Sequence, residues 1–378
     1  MPIKKMSNGK YKVDISVGFD PITGARRRKT KIASTKNEAE EIYYRIKNKY
    51  RNGELDYGKN TKFKYLLALY FNHMEQHLKE VTIHNRTLSI NKHIAPFFKN
   101  SLVNKITYTE ITNFRQHLIN QDLKVSTINQ LMVILHNIFS IGVKEGLVKK
   151  NPCTDVKNLR DTSNKIIIWT PEEFKLFINS LTTKQEYYKT LYTFAYLTGT
   201  RIGEAQAVTW EDLDTIEGII TINKTYHRLN KKDIVTTPKT PNSIRAISIN
   251  EKLTNMLLKL KTNQKNRYDE LGLIQTPQTP IFEKDGKIPS THYINQLIKD
   301  TCHKINKSMS QSLKVIKFHG FRHSHVSLLI HQGEEILLIS ERLGHKSVTF
   351  TLDTYGHLFP SRQKQLSKKL DSLSFLSK

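Results

Sequence analysis

The chain has 378 residues, 38% of them hydrophobic, with 60 Lys and Arg against 34 Asp and Glu, a formal charge of +26 and two distant cysteines, Cys153 and Cys302. No run of eighteen apolar residues occurs, the basic start "MPIKKMSNGKYKV" has no apolar signal stretch, and two cysteines make no disulfide framework, so a cytoplasmic protein without a transmembrane helix is expected. The positive charge runs along the whole length, which reads as a protein gripping nucleic acid with several domains and argues against a membrane-surface patch.

This length exceeds one ordinary core, so two or three domains are expected. Residues 1 to about 55 read as strands and then a helix. "KYKVDISVGF" alternates, with Tyr11, Val13, Ile15 and Val17 on one face; Pro21 and Gly24 sit in a turn; "ARRRKTKIAS" is a second, basic strand. A helix opens at Ser34 or Thr35 and carries Ala39, Ile42 and Ile46 at helical spacing. A strand bearing Arg26, Arg27, Arg28, Lys29 and Lys31 can lie in a DNA groove; the plainer alternative is a solvated edge strand protected by its charge. After a linker at 51–61, residues 62 to about 150 show only helical periodicity. Segments near 63–79, 83–97 and 108–120 look like partners of "VSTINQLMVILHNIFSIGVKEG". There Ser126 is the expected cap, Ile128, Leu131, Leu135, Ile138 and Phe139 form the stripe, and Gly146 ends the helix.

A second linker, "KKNPCTDVKNLRDTSNK", leads to a third domain that opens with Thr170 as N-cap, Pro171 at the first helical position and Glu173 closing a capping box. Short strands are expected at 218–224 and on either side of "TPKTPNS". Four stretches here carry unusual residues. In "LTGTRIGEAQAVTW", Gly199 and Gly203 bracket Arg201 at a loop-to-helix junction, where free N–H groups and the helix dipole favour phosphate; a surface arginine at a glycine turn is the alternative. "TTPKTPNSIRAISI" reads as a hairpin with Lys239 near its tip, where a lysine is ordinarily only solvated. "FHGFRHSHV" packs three histidines and an arginine into nine residues with no carboxylate, and His319 and Arg322 face one way from a helix's first turn. A zinc site would want a glutamate after the first histidine; Gly320 stands there, so no metal is expected, and His323, His325 and His331 read as core or surface histidines. In "LISERLGHKSVTFTLDTYGHLF", Gly344 ends a helix, His345 sits in the tight turn and Ser347 caps a short helix. The spacing of Val348, Leu352 and Tyr355 turns the tyrosine inward, a position more often packing than chemistry.

Together "TGTRIGE", "PKT" with its following Ser and Arg, "HGFRHS", and "LGH" with its following Ser, Thr and Tyr resemble, in content and order, the motif boxes of the tyrosine recombinases, the phage integrase family. The resemblance covers the whole third domain. It implies a multidomain, mainly α chain with small β-sheets. Residues 1–55 are similar to the arm-binding domain of lambda-type integrases, a three-stranded sheet plus helix; 62–150 to the helical, SAM-like core-binding bundle; 165–378 to the mixed α+β catalytic domain with a C-terminal tail helix. On the same resemblance Arg201 and Arg322 are paired phosphate clamps, Lys239 the β-hairpin lysine, His319 and His345 the two histidines, and Tyr355 the nucleophile. Lys224, Lys231 and Lys232 lie close to Lys239.

The chemistry agrees. A phosphodiester gains negative charge as a nucleophile adds, and two guanidiniums give forked hydrogen bonds to its oxygens while carboxylates would repel it. A phenol, with pKa near 10, attacks only when its proton is drawn off or its oxygen is held beside such cations. His319 is the expected base, His345 a donor to the phosphate and Lys239 the acid for the departing 5′ oxygen. The 3′-phosphotyrosyl product keeps the bond energy, so neither ATP, metal nor cofactor is required. The implied partners are core- and arm-type attachment sites in double-stranded DNA, three further copies in a tetramer, a small basic excisionase and a host DNA-bending protein, in a bacterial cell at the nucleoid; the element is a prophage or an integrative conjugative element. Leu366, Leu370 and Leu373 form a stripe that docks either on its own domain or on a neighbour. A type IB topoisomerase, a non-catalytic DNA-binding regulator and a metal-dependent transposase are the rivals. The separate arm, the six intact residue types and the lack of three acidic ligands around the basic boxes weigh against them in turn.

Overall fold

The computed structural model describes residues 2–19, 26–51, 61–161, 166–238, 241–308 and 312–358. The chain divides into two compact units, 1–164 and 165–378. The first holds two separate hydrophobic cores.

The smaller core lies under a three-stranded antiparallel sheet of β1 (Ile3–Lys5), β2 (Tyr11–Phe19) and β3 (Arg26–Ala33), backed by α1 (Lys36–Arg51). Val13, Ile15 and Ala33 pack on Ala39, as their alternation requires; the side chain of Val17 and the turn at Pro21 and Gly24 fall outside the described residues. Thr35 is the cap: its hydroxyl accepts from Glu38 N at 3.2 Å while the Glu38 carboxylate accepts from Ser34 N at 2.8 Å. Register splits the basic strand between two faces. Lys29 and Lys31 pair with Ile15 and Val13 and so share the helix-backed side, whereas Arg28 pairs with Ser16 on the open side. There Arg26 donates to Ser16 Oγ (2.9 Å) and Arg28 to Asp14 (3.1 Å). The side chain of Arg27 lies outside the described residues.

The larger core belongs to a helical bundle of α2 (Phe63–His77), α3 (Glu80–Ser89), α4 (Ala95–Phe98), α5 (Tyr108–Asn120) and α6 (Val125–Lys144). A π-turn at Ile90–Ile94 joins α3 to α4 just before Pro96, whose missing N–H breaks the regular ladder. The helix expected at 83–97 is this composite, beginning earlier, at Glu80. All five residues of the expected α6 stripe are buried, each worth about 1.5–3 kcal/mol, and Gly146 has the left-handed φ of +68° past its end. The cap expected at Ser126 is displaced: Lys124 O already accepts from Thr127 N and Ile128 N, so the helix begins before that serine. By length and composition α6 could cross a membrane; half of it is buried in this bundle.

The second unit opens with α7 (Pro171–Asn179), capped by Thr170 and Glu173 as expected. Then come α8 (Glu186–Thr198), α9 (Ile202–Ala207), β4 (Leu213–Asp214), β5 (Ile219–Ile222), β6 (Thr225–Leu229), β7 (Lys232–Thr236), β8 (Arg245–Ser248), α10 (Glu251–Glu270), α11 (Thr291–Ser308), α12 (Phe318–Gln332), α13 (Ile336–Leu343) and α14 (Val348–Tyr355). An aromatic core joins α7, α8 and α12, with Trp169 5.0 Å from Phe177 and Tyr192 5.5 Å from Phe321 between ring centroids. Trp169 N also donates to Ser324 Oγ at 2.8 Å, which ties the middle of α12 to the segment before α7. The strands flanking Lys239 do not pair with each other: β7 pairs with β6 around Asn230 and Lys231, both at positive φ, and β8 pairs with β5. The expected hairpin is therefore a crossing between two sheets, and Lys239 itself falls outside the described residues.

Candidate active site

Four elements of the second unit converge. Gly199 ends α8 at φ +65°, where a Cβ would come within 2.7 Å of the His325 ring. This glycine aims its carbonyl at Arg322, which donates to Gly199 O (2.8 Å) and to Leu343 O (2.7 Å). Arg322 is only 2% exposed, and none of the salt bridges among the described residues includes it. Burial and then the charge of Arg201 push its pKa down to about 9, so it is still a cation at neutral pH. A buried guanidinium held by carbonyls alone is a costly arrangement that an incoming anion relieves.

Arg201 precedes α9 and is held differently. Its guanidinium donates to Glu204 Oε1 (2.7 Å) and its backbone N–H to Glu204 Oε2 (2.9 Å). Glu204 is buried and bridges to Arg245, whose Nη2 lies 2.9 Å away. Its carboxylate stays ionised because Arg245 and then Arg201 outweigh the burial that opposes charge. Arg245 is anchored in turn by Arg342 O (2.7 Å) and Ser243 O (3.1 Å).

Gly344 ends α13 at φ +65°, and a Cβ there would meet Asn242 O at 2.9 Å. The next residue, His345, is buried, with Nδ1 2.7 Å from the Thr351 hydroxyl. When that hydroxyl donates, the ring proton sits on Nε2, ready for an acceptor. Burial, then Arg322, Arg201 and Arg245, push the His345 pKa down to about 3. Ser347 caps α14 as expected (Phe350 N to Oγ, 3.3 Å). Tyr355 does face inward, 2% exposed, but its inward companion is Thr351; Leu352 points to solvent. The small hydroxyl is buried because His345 uses it.

Burial raises the Tyr355 pKa, while the charges of Arg322 and Arg201 draw it down, so both guanidiniums act on the phenol. The hydroxyl lies 2.6 Å from Nδ1 of His323, one turn beyond His319. His319 opens to solvent at the mouth of the site and stacks edge-on against His323, 4.8 Å between centroids. Its partial burial, then His323, Arg322 and Arg201, push its pKa down to about 4. The structure thus assembles Arg201, His319, Arg322, His345 and Tyr355. It adds four residues to which the sequence reading gave no role: Glu204, Arg245, Thr351 and His323. Glu204 had a visible signal, three positions after Arg201 in a capping-box spacing. His323 and Arg245 act through partners 32 and 41 residues away, and Thr351 through His345, six positions before it. Among the described residues, no group of three or more His, Cys, Asp or Glu could hold a metal ion.

The comparisons with known proteins fall on the same residues. The model described as "Phage integrase family" matches 168–362, and "Phage integrase, N-terminal SAM-like domain" matches 62–119. The chain is 42% identical to the ICEBs1 integrase of Bacillus subtilis (strain 168), over 99% of this chain and 100% of that protein. Its fold is similar to that of the Tn1549 transposon integrase in complex with a circular intermediate DNA (TM-score 0.68, 20% identity, 80% of this chain and 98% of that one). It is also similar to a lambda integrase tetramer bound to a Holliday junction (TM-score 0.57, 16% identity, 92% and 96%). By the match across residues 168–362 and the relative aligned over its whole length, this chain belongs to the phage integrase family and is a site-specific tyrosine recombinase, a DNA integrase of a mobile element.

Proposed function

We propose that Tyr355 is the nucleophile of this recombinase and that Arg201, Arg322, His319, His345 and Lys239 serve the scissile phosphate. The observation that carries this is the buried Arg322 cation, which forms no salt bridge among the described residues and is held by Gly199 O and Leu343 O, beside a buried tyrosine whose hydroxyl feels its charge. A DNA phosphate entering between Arg201 and Arg322 supplies the missing anion. The guanidiniums bind it more strongly as charge develops during attack. His345, neutral and carrying its proton on Nε2, donates to a phosphate oxygen, and Lys239 protonates the 5′ oxygen as it leaves.

The cut strand is held as a 3′-phosphotyrosine until the 5′ end of a second duplex attacks it, which integrates or excises the element at its attachment sites. Residues 1–55 serve as the arm-type DNA-binding domain through Arg26, Arg27, Arg28, Lys29 and Lys31; 62–150 hold the core site; 165–378 cut. Two duplexes have four strands to exchange, so the working form is a homotetramer. The lambda integrase tetramer on a Holliday junction supports this reading. An excisionase and a host DNA-bending protein acting through the arm complete the proposed assembly.

A nicked duplex carrying the attachment site, read from the junctions of an integrated element, tests the chemistry. The protein should form an SDS-resistant DNA adduct that survives EDTA, and Tyr355→Phe should form none. An adduct that persists in Tyr355→Phe removes the nucleophile assignment.

A further inference from the structure

We infer that His323 is a further catalytic residue, the group that takes the proton of the Tyr355 hydroxyl as it attacks. The inference rests on Tyr355 being the nucleophile. Its geometric ground is the Oη to Nδ1 distance of 2.6 Å, within hydrogen-bond reach for proton transfer. The other candidates are committed elsewhere: Nδ1 of His345 is held by Thr351, and Arg201 and Arg322 are cations with nothing to accept with. His319, the base expected from the sequence, makes no hydrogen bond to Tyr355 among the described residues; exposed and edge-on to His323, it is left to meet the phosphate, and the base role passes to His323.

Local structure explains why the sequence hid this residue. His323 sits on α12 next to Arg322, and its partner lies 32 residues away on α14. Both helices pack with α13 in a small core of Val326, Ile330, Ile339, Leu343 and Tyr355, which fixes the phenol ring and with it the hydrogen bond. Burial and Arg322 both lower the His323 pKa, so the ring is neutral and Nδ1 has its lone pair free when Nε2 carries the proton.

The step balances as follows. The Tyr355 O–H bond breaks and its proton goes to Nδ1; the phenolate oxygen bonds phosphorus; the bond from phosphorus to the 5′ oxygen breaks, and that oxygen is protonated by the acid assigned to Lys239. In rejoining, the incoming 5′ hydroxyl attacks phosphorus, the phosphotyrosyl bond breaks, and the His323 imidazolium returns its proton to Tyr355. An imidazolium beside Arg322 is unfavourable without an added anion, which couples deprotonation to the arrival of phosphate. The tyrosine therefore stays protonated off DNA.

The test measures single-turnover cleavage of the nicked attachment site by His323→Asn and His323→Ala. Asn places an amide where Nδ1 was, keeping a hydrogen bond without a proton acceptor. Each variant should cleave on the order of a hundred-fold or more slowly. A second substrate with sulfur at the bridging 5′ position needs no acid for its leaving group. On it Lys239→Ala should recover and the His323 variants should not. Raising the pH toward that of a free phenol should narrow the His323→Ala deficit, by up to about ten-fold per unit. The groups acting on that profile are Tyr355 on α14, His319 and Arg322 on α12, and Arg201 before α9. Cleavage by His323→Asn within two- to three-fold of the parent, or recovery of the His323 variants on the sulfur substrate, overturns the assignment. Tyr355→Phe run alongside separates this failure from loss of the nucleophile reading, since only the latter leaves adduct in that variant.

Discussion

Positive charge is used in opposite ways in the N-terminal sheet and in the catalytic unit. On the sheet, Arg26 and Arg28 are exposed and bonded to Ser16 and Asp14, and the lysines of the same strand lie on the other face. In the catalytic unit Arg322 and Arg245 are buried; both Nη atoms of Arg322 are aimed by carbonyls, and all three nitrogens of Arg245 by carbonyls or Glu204. Solvated charges act additively, by releasing counterions from DNA, and tolerate imprecise placement. Buried ones act singly and depend on geometry within a fraction of an ångström. One residue in the second region should therefore outweigh several in the first.

The largest break of this contrast is Arg322→Ala. It should slow cleavage about a hundred- to a thousand-fold, with DNA binding changed far less; Arg322→Lys should not rescue it, because an ammonium cannot reach Gly199 O, Leu343 O and phosphate in one plane. Gel-shift and adduct assays run together read both. Next comes Glu204→Gln, which leaves the Arg245 cation buried without its counterion and Arg201 untethered. A loss of about 3–5 kcal/mol in chemical denaturation of the catalytic unit is expected, alongside slower cleavage.

Acid is a subtler probe. His345 and His325 have folded pKa values pushed down to about 3, below the unfolded value near 6.5, so the unfolded chain binds more protons between those limits. Their stability contribution is complete above pH 6.5 and is lost as pH falls, each adding a slope of about 1.4 kcal/mol per unit. A slope from pH 6.5 to 4.5 that is shallower by about 1.4 kcal/mol per unit in the His345→Gln background than in the parent, with the His325 share remaining, would isolate one of them. The smallest effect is reserved for the sheet. Replacing Arg26 and Arg28 with Ala should weaken arm-site binding and flatten its dependence on log salt by about 1.8, leaving core-site cleavage untouched.

How far the sequence disclosed this arrangement follows from the range of the interactions. Strand alternation gave Val13 and Ile15, and the helical stripe gave α6, because both depend on neighbours a few positions apart. The glycine-flanked boxes disclosed Arg201, His319, Arg322, His345 and Tyr355, since Gly199 and Gly344 adopt conformations that other residues resist. The hairpin reading around Lys239 failed because β7 and β8 have partners elsewhere. Apolarity likewise misplaced Leu352 inward in place of Thr351, whose hydroxyl is spent on His345. Arg245 and Glu204 are 41 residues apart, and no local pattern announces such a pair.

The central claim is that one tyrosine, lying within the field of the buried Arg322 cation, attacks the DNA backbone. Mass spectrometry of a protease digest of the trapped DNA adduct tests it most directly. The account predicts a 3′-phosphoryl nucleotide on the peptide containing Tyr355. The same modification on any other side chain, or no covalent peptide from a cleavage-competent reaction, would contradict it.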